Sequence, residues 1–286
     1  MKPVVIIGAP RSGTNMLRDA LCKIADVATW PCDEINPIWK HGNLSYKTDE
    51  LPATAVTAAV KKHIRSNFHW VSQHYQATTV VEKTCANCLR VPFVDAVVPE
   101  AKFIYIYRDG IDVAASALQR WTADVDLPYI LAKARFVPKI DLPYYALSFI
   151  RARLYRTFSD SDRISGWGPS FSGMDKLLDG YELHEACAMQ WEKCVLSAEQ
   201  GFERIHEDRV KRICYEDFVR QPAENLESIL EFLQLSTDRQ AVNHAVADVT
   251  SRSIGKGRAS FSSEKIERIE NLIKEGLQHY GYMSKN

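Results

Sequence analysis

The sequence predicts an α/β protein: a doubly wound, mostly parallel sheet flanked by helices, carrying a helical and loop insertion. Three observations predict it. Runs rich in Val and Ile recur at 4–7, 79–82, 102–107 and 209–214. Each is followed by a stretch of helical periodicity, the alternation that crossover connections between parallel strands require. Between Trp121 and Gly180 that alternation stops and Pro, Trp and Tyr clusters (LPYYALSF, ISGWGPSFSGM) take over, which marks loop-rich chain.

The run at 4–7 is apolar at every position, as a central strand covered on both faces demands. Gly8-Ala-Pro-Arg-Ser-Gly13-Thr14-Asn15 follows, and MLRDALCKI opens a helix behind it. The run at 79–82 leads to Lys83-Thr84-Cys85, and KFIYIY at 102–107 leads to Arg108, an Asp109-Gly110 turn and a helix carrying Ser116. The run at 209–214 leads to Tyr215-Glu-Asp-Phe. From Ser262 to Tyr280, Ile266, Ile269, Ile273 and Leu277 recur at helical spacing behind a Ser-Ser-Glu start able to cap the first turn. No repeat, low-complexity tract or long linker divides the chain, so residues 1–286 read as a single domain with 122–180 as a substrate-side insertion.

Lys+Arg and Asp+Glu both number 36, and no run of one sign suggests a nucleic-acid arm. An anion site must therefore be local. The first strand begins almost at Met1, which leaves no room for a signal peptide, and no stretch has the roughly 18 apolar residues of a spanning helix. Seven cysteines, an odd number, suit reduced thiols in a cytoplasmic protein. Cys85 and Cys88 form a CxxC pair with no second pair to complete a zinc site, so packing explains them better. The segment 144–158 carries Arg151, Arg153 and Arg156 among aromatics. It reads as a solvated helix face ahead of an anion or membrane contact.

The Gly8 to Gly13 spacing is that of a P-loop, whose backbone amides and helix N-terminus cradle phosphate. An ATP-using loop would read GxxxxGK[ST], but Thr14 stands in the Lys position and the cation is Arg11. Such a loop suits a single terminal phosphate held by amides, Arg11 and hydroxyls better than a triphosphate with its metal, and no metal site is expected. The fold expectation is thus P-loop-like.

At Pro10-Arg11-Ser12-Gly13-Thr14 the chain resembles the sulfotransferases that use 3′-phosphoadenosine 5′-phosphosulfate (PAPS). Their 5′-phosphosulfate loop reads PxRSGT followed by Thr or Ser; Asn15 replaces that second hydroxyl. The stretch from Lys102 to Ser116 resembles the family's 3′-phosphate motif, which implies Arg108 and Ser116 as ligands. An ion pair of Arg108 with Asp109 or Asp112 is the competing reading. The basic turn Lys256-Gly257-Arg258 resembles a further phosphate-holding segment, although a solvated loop explains it equally. Tyr215 resembles an aromatic that shapes the nucleotide pocket, and packing alone also explains it. By the same resemblance Lys83, with Cys85 where the family has Pro, supplies a second catalytic cation beside Arg11; a surface salt bridge to Glu82 is the alternative. The product would be 3′,5′-adenosine bisphosphate.

Sulfuryl transfer needs a base for the acceptor. Relatives place a catalytic Glu after the first helix, which implies Glu34. Asp33 competes for the role, and His41, His63, His69 and His74 also precede Lys83. The acceptor, a small molecule or a glycan, would meet the insertion, and Trp39, Trp121 and Trp167 are candidates for stacking on sugar. A P-loop kinase or nucleotide hydrolase and a non-catalytic nucleotide-binding protein are the other readings.

Overall fold

The computed structural model describes residues 1–122, 134–148, 150 and 167–283. Five strands form one sheet: β1 (Lys2–Ile7), β2 (Val27–Ala28), β3 (Thr79–Lys83), β4 (Lys102–Tyr107) and β5 (Val210–Cys214), in the order β2-β3-β1-β4-β5. Every pairing is parallel, with Val4 opposite Val81 and Lys102, and Tyr105 opposite Arg212. Four strands fall where the apolar runs predict them. The edge strand β2 was not foreseen, since two residues carry no periodicity.

β1 lies at the centre because it can be covered twice. Val4 and Ile6 join one core, with Leu17 and Leu21 of α1 (Thr14–Cys22). Val5 and Ile7 join the other, with Phe68 of α3 (Ala58–Tyr75), Ile111 of α5 (Gly110–Trp121) and Trp191 of α7 (Leu183–Phe202). Complete burial of each such side chain contributes about 1.5–3 kcal/mol. The short helix α2 (Asn36–Lys40) precedes α3, α4 (Val91–Val97) follows β3, and α6 (Met174–Gly180) precedes α7. After β5 come α8 (Tyr215–Arg220), α9 (Pro222–Leu233), α10 (Arg239–Ala245) and α11 (Lys256–Ser260).

The terminal helical pattern resolves into two pieces, α12 (Ser263–Leu272) and α13 (Lys274–His279), broken at Ile273 (φ −116°, ψ 32°). Ser262 caps the first, its hydroxyl accepting from the Lys265 amide. The apolar spacing survives the break because Ile269, Ile273 and Leu277 remain fully buried.

The site is positioned by a reversal of winding. The chain leaves β1 into α1 on one face of the sheet and leaves β4 into α5 on the other. A crevice therefore opens between the carboxyl ends of β1 and β4, where open α/β sheets bind their ligands.

Candidate active site

Both candidate phosphate-binding segments border this crevice. The loop after β1 holds two left-handed residues, Arg11 (φ 71°) and Gly13 (φ 91°). Gly13 is required twice over, because a Cβ there would also lie 2.5 Å from the Tyr215 ring. α1 starts without a side-chain cap and without an acidic residue in its first turn. Its leading amides are thus open to an anion. Ser12 is fully buried, and its hydroxyl has no protein partner.

Arg11 donates from Nε to Ser116 Oγ at 2.9 Å. Burial, then Arg120 and Arg108, lower its pKa, so the like charges crowd one another and an anion would relieve them. Arg108 is buried, lies over the Tyr215 ring at 4.4 Å, and donates to the Arg11 carbonyl oxygen at 3.1 Å. Its Nε has no partner. Arg11, Arg108, Ser116 and Tyr215 are brought together. Arg108 is also ion-paired with Asp112 at 3.3 Å, the competing reading of the sequence; Asp109 pairs instead with Arg258.

Lys256 is exposed at the start of α11. Arg258 is half-buried and engaged within the protein. Its guanidinium donates to Asp109, Glu270 and the Tyr282 carbonyl oxygen, at 3.0, 2.7 and 3.0 Å. That pattern ties the carboxyl-terminal helices to the β4–α5 turn.

Lys83 ends β3 and is buried, not a surface lysine. Its Nζ donates to Asp33 at 3.0 Å and Glu34 at 3.2 Å. Burial opposes its charge, but the Glu34 and Asp33 carboxylates outweigh burial and hold its pKa above the ordinary value. Glu82, on the opposite face of the strand, is fully buried and bonded to Asn87 rather than to Lys83.

The two carboxylates differ. Asp33 Oδ1 also accepts from Arg18 Nη1 at 2.9 Å. Burial pushes its pKa up, yet Lys83 and Arg18 win and bring it down to about 2. Glu34 instead accepts from the Cys85 amide at 3.2 Å. Both reach α1, Asp33 through Arg18 and Glu34 through Cys85, whose Sγ lies 3.7 Å from Thr14 Oγ1. The Lys83–Glu34 pair is therefore fastened to the helix that begins in the phosphate loop. Asn15 is exposed on that helix's first turn.

Sequence reasoning missed Arg18, whose signal was its spacing, four residues after Thr14 and one helical turn along the same face of α1. The histidines lie elsewhere. His41 is bonded to Asp141 at 2.7 Å with its ring tilted against His63, His74 stacks on Trp70, and His69 is exposed on α3. Trp39 and Trp121 are core side chains, so neither offers a face to a sugar, and Trp167 packs against Trp121. Cys85 and Cys88 are free and buried, with thiol pKa values raised by burial. No metal-binding cluster occurs among the described residues. Arg151, Arg153 and Arg156 lie outside the described residues. A cleft of about 410 Å³ opens beside Asp33, between Arg18 and Asp19 of α1 and the 29–33 loop.

The sulfotransferase family model matches residues 3–133 and 147–239. The chain belongs to the sulfotransferase family. Among solved structures, this sulfotransferase resembles the sulfotransferase domain of the Synechococcus PCC 7002 olefin synthase at 16% identity and a TM-score of 0.55, covering 99% of this chain and 96% of that one. It resembles sulfotransferase STF9 from Mycobacterium avium at 12% identity and a TM-score of 0.55, covering 97% and 76%. Mouse sulfotransferase SULT7A1 complexed with PAP matches at 14% identity and a TM-score of 0.51, covering 97% and 85%. These likenesses show the fold. No curated protein matches the sequence at comparable significance. The family match makes the chain an enzyme of sulfuryl transfer from PAPS to an acceptor. Among the described residues no helix is long and apolar enough to cross a membrane.

Proposed function

We propose that Glu34 is the general base of this sulfotransferase, and that Arg11 and Lys83 stabilise charge on the oxygen bridging sulfur to the 5′-phosphate. The observation that carries the reading is the Lys83–Glu34 pair at 3.2 Å, fastened to the first turns of α1. PAPS, when bound, supplies the sulfuryl group: the acceptor oxygen or nitrogen bonds to sulfur, the bridging S–O bond breaks, and 3′,5′-adenosine bisphosphate leaves.

The chain's own part is binding, orientation and proton handling. Open amides of the first turn, with Pro10, Ser12, Gly13, Thr14 and Asn15 around them, would hold the 5′-phosphate; the unpartnered Ser12 hydroxyl and Arg108 Nε fit a ligand rich in phosphate oxygens. Arg108, Ser116 and Lys256 would hold the 3′-phosphate, with Tyr215 shaping the nucleotide pocket. Lys83 stays protonated and can donate to the leaving oxygen. Glu34 takes the acceptor proton at its carboxylate. Asp33, bridged between Lys83 and Arg18, is too weak a base for the task. The acceptor, a hydroxyl or amine on a small molecule or glycan, would approach through the cleft beside Asp33. The seven free thiols support a cytoplasmic setting.

Titration calorimetry with 3′,5′-adenosine bisphosphate, 5′-AMP and Mg-ATP tests the donor. Metal-independent binding that needs both the 3′-phosphate and Arg108 is expected; preference for Mg-ATP would overturn the reading. With an acceptor found by screening against labelled PAPS, Glu34→Gln should lower kcat about 10²–10⁴-fold and spare bisphosphate binding. Full turnover in that variant returns the base to another group.

A further inference from the structure

Asp112 is a buried carboxylate placed where an anion site should least want one. It lies in the first turn of α5, 3% exposed. Its Oδ2 accepts from Arg108 Nη2 at 3.3 Å and from the Gly255 amide at 2.7 Å, and its Oδ1 accepts from the Gly257 amide at 2.6 Å. Arg108 completes the knot by donating to the Ser253 carbonyl oxygen at 2.6 Å and to the Arg11 carbonyl oxygen at 3.1 Å. One carboxylate thus joins the end of β4, the phosphate loop and the 253–257 turn, segments far apart in sequence.

The turn has been shaped to reach it. A Cβ on Gly257 would lie 2.4 Å from the Ile111 carbonyl oxygen and 2.6 Å from Asp112 Cα. Both obstacles are backbone and cannot swing aside, so only Gly lets this turn close onto α5. Lys256 sits between the two amides that Asp112 holds and is itself exposed. Arg108 keeps Nε without a partner while Asp112 and Ser253 fix its Nη2.

By Coulomb's law a negative charge beside Arg108 weakens the pull of that residue on any anion. A carboxylate kept there, with both oxygens engaged, must return something else. We propose that Asp112 is the positioning residue of the 3′-phosphate subsite: it fixes the plane of the Arg108 guanidinium and clamps the Gly255–Gly257 turn so that Arg108 and Lys256 serve one phosphate group. The inference rests on the PAPS reading above. It deepens that reading by naming a residue that acts without touching the ligand.

The two roles of Asp112 have opposite signs, so one measurement separates them. If the carboxylate only repels, Asp112→Asn tightens binding of an anion; if it positions, the same change loosens binding, and only for ligands with a 3′-phosphate. Calorimetric titration of wild type and Asp112→Asn with 3′,5′-adenosine bisphosphate and with 5′-AMP reads both. Positioning predicts a loss of about 10–100-fold for the bisphosphate, the usual consequence of removing an outer-shell partner, with 5′-AMP affinity unchanged. Gly255→Ala is the second variant: Gly255 has φ +73° but nothing within 4 Å of a Cβ, so this chain still folds while the clamped turn is strained. It should reproduce the selective loss on a smaller scale, and it carries the test if Asp112→Asn does not fold. Tighter bisphosphate binding, unchanged bisphosphate binding or an equal loss for both ligands would overturn the proposal. A wild type that shows no preference for the 3′-phosphate would instead overturn the PAPS reading.

Discussion

Replacing Glu82 with Gln changes stability by an amount that depends on pH, and the structure fixes its sign. Glu82 is fully buried beside the β3 carboxyl end and accepts from Asn87 Nδ2 at 2.8 Å. Burial raises its pKa from 4.5 to about 7, against smaller opposing effects of Thr84, Trp39, Arg90 and Lys83. A folded-state value above the unfolded one means that the fold prefers the protonated carboxyl. That preference stabilises fully below about pH 4.5 and is lost as pH rises through 7. At about 1.4 kcal/mol per pH unit, the span from 4.5 to about 7 corresponds to about 3 kcal/mol. Gln does not titrate and keeps an acceptor for Asn87. Urea unfolding of wild type and Glu82→Gln at pH 5, 6, 7 and 8 should therefore show wild type losing ground to the variant by about 2–3 kcal/mol across the series. Parallel stability curves would refute the argument and mean that Glu82 is ionised and fully compensated by Arg90.

Asp33 behaves with the opposite sign. Its depressed pKa stabilises the fold above the ordinary value of 3.8 and is lost as pH falls towards 2, so Asp33→Asn should cost about 1–2 kcal/mol at pH 7 after allowance for solvent screening, and the difference should shrink in acid unfolding curves. Lys83→Met leaves Asp33 and Glu34 without their shared cation; kcat should fall about 10²–10³-fold, and the acid limb of the pH–rate profile should move up. Gly13→Ala must adopt φ 91° against the Tyr215 ring. Thermal unfolding should register a loss of about 1–3 kcal/mol, and calorimetry weaker binding of 3′,5′-adenosine bisphosphate. Trp121→Ala empties part of the core shared by α5 and α7, and denaturant titration should show a loss of about 3–5 kcal/mol.

Much of the fold was legible because the strands between covering helices must be apolar throughout, and VVII and FIYIY say so directly. β2 was invisible because two residues at an edge need no pattern. The loop from Pro10 to Asn15 was legible because backbone geometry leaves its mark in Gly13 and in the missing Lys. The partners of Lys83 were harder to read. Asp33 and Glu34 are adjacent and chemically alike, and what separates them is Arg18, a residue whose pairing depends on how α1 meets the 29–35 loop. Arg258 was hard to read for the opposite reason: a basic residue in a Gly-rich turn says nothing of Asp109 and Glu270, which reach it from elsewhere in the chain. Trp39 and Trp121 similarly look available in sequence but pack in the core, where large aromatic side chains bury most apolar surface.

Lys83 brings its counter-ions with it. Asp33 and Glu34 stand within 3.2 Å of its Nζ and, being tethered, compete with dissolved anions for it without a cost of association. Chloride or inorganic phosphate has little to gain by entering, so the site works as an ion exchanger that is already loaded. On the proposed assignment the same tether would act on the way out: once the sulfuryl group has moved and Glu34 holds the acceptor proton, Asp33 would reclaim Lys83 and loosen its hold on the nucleotide left behind.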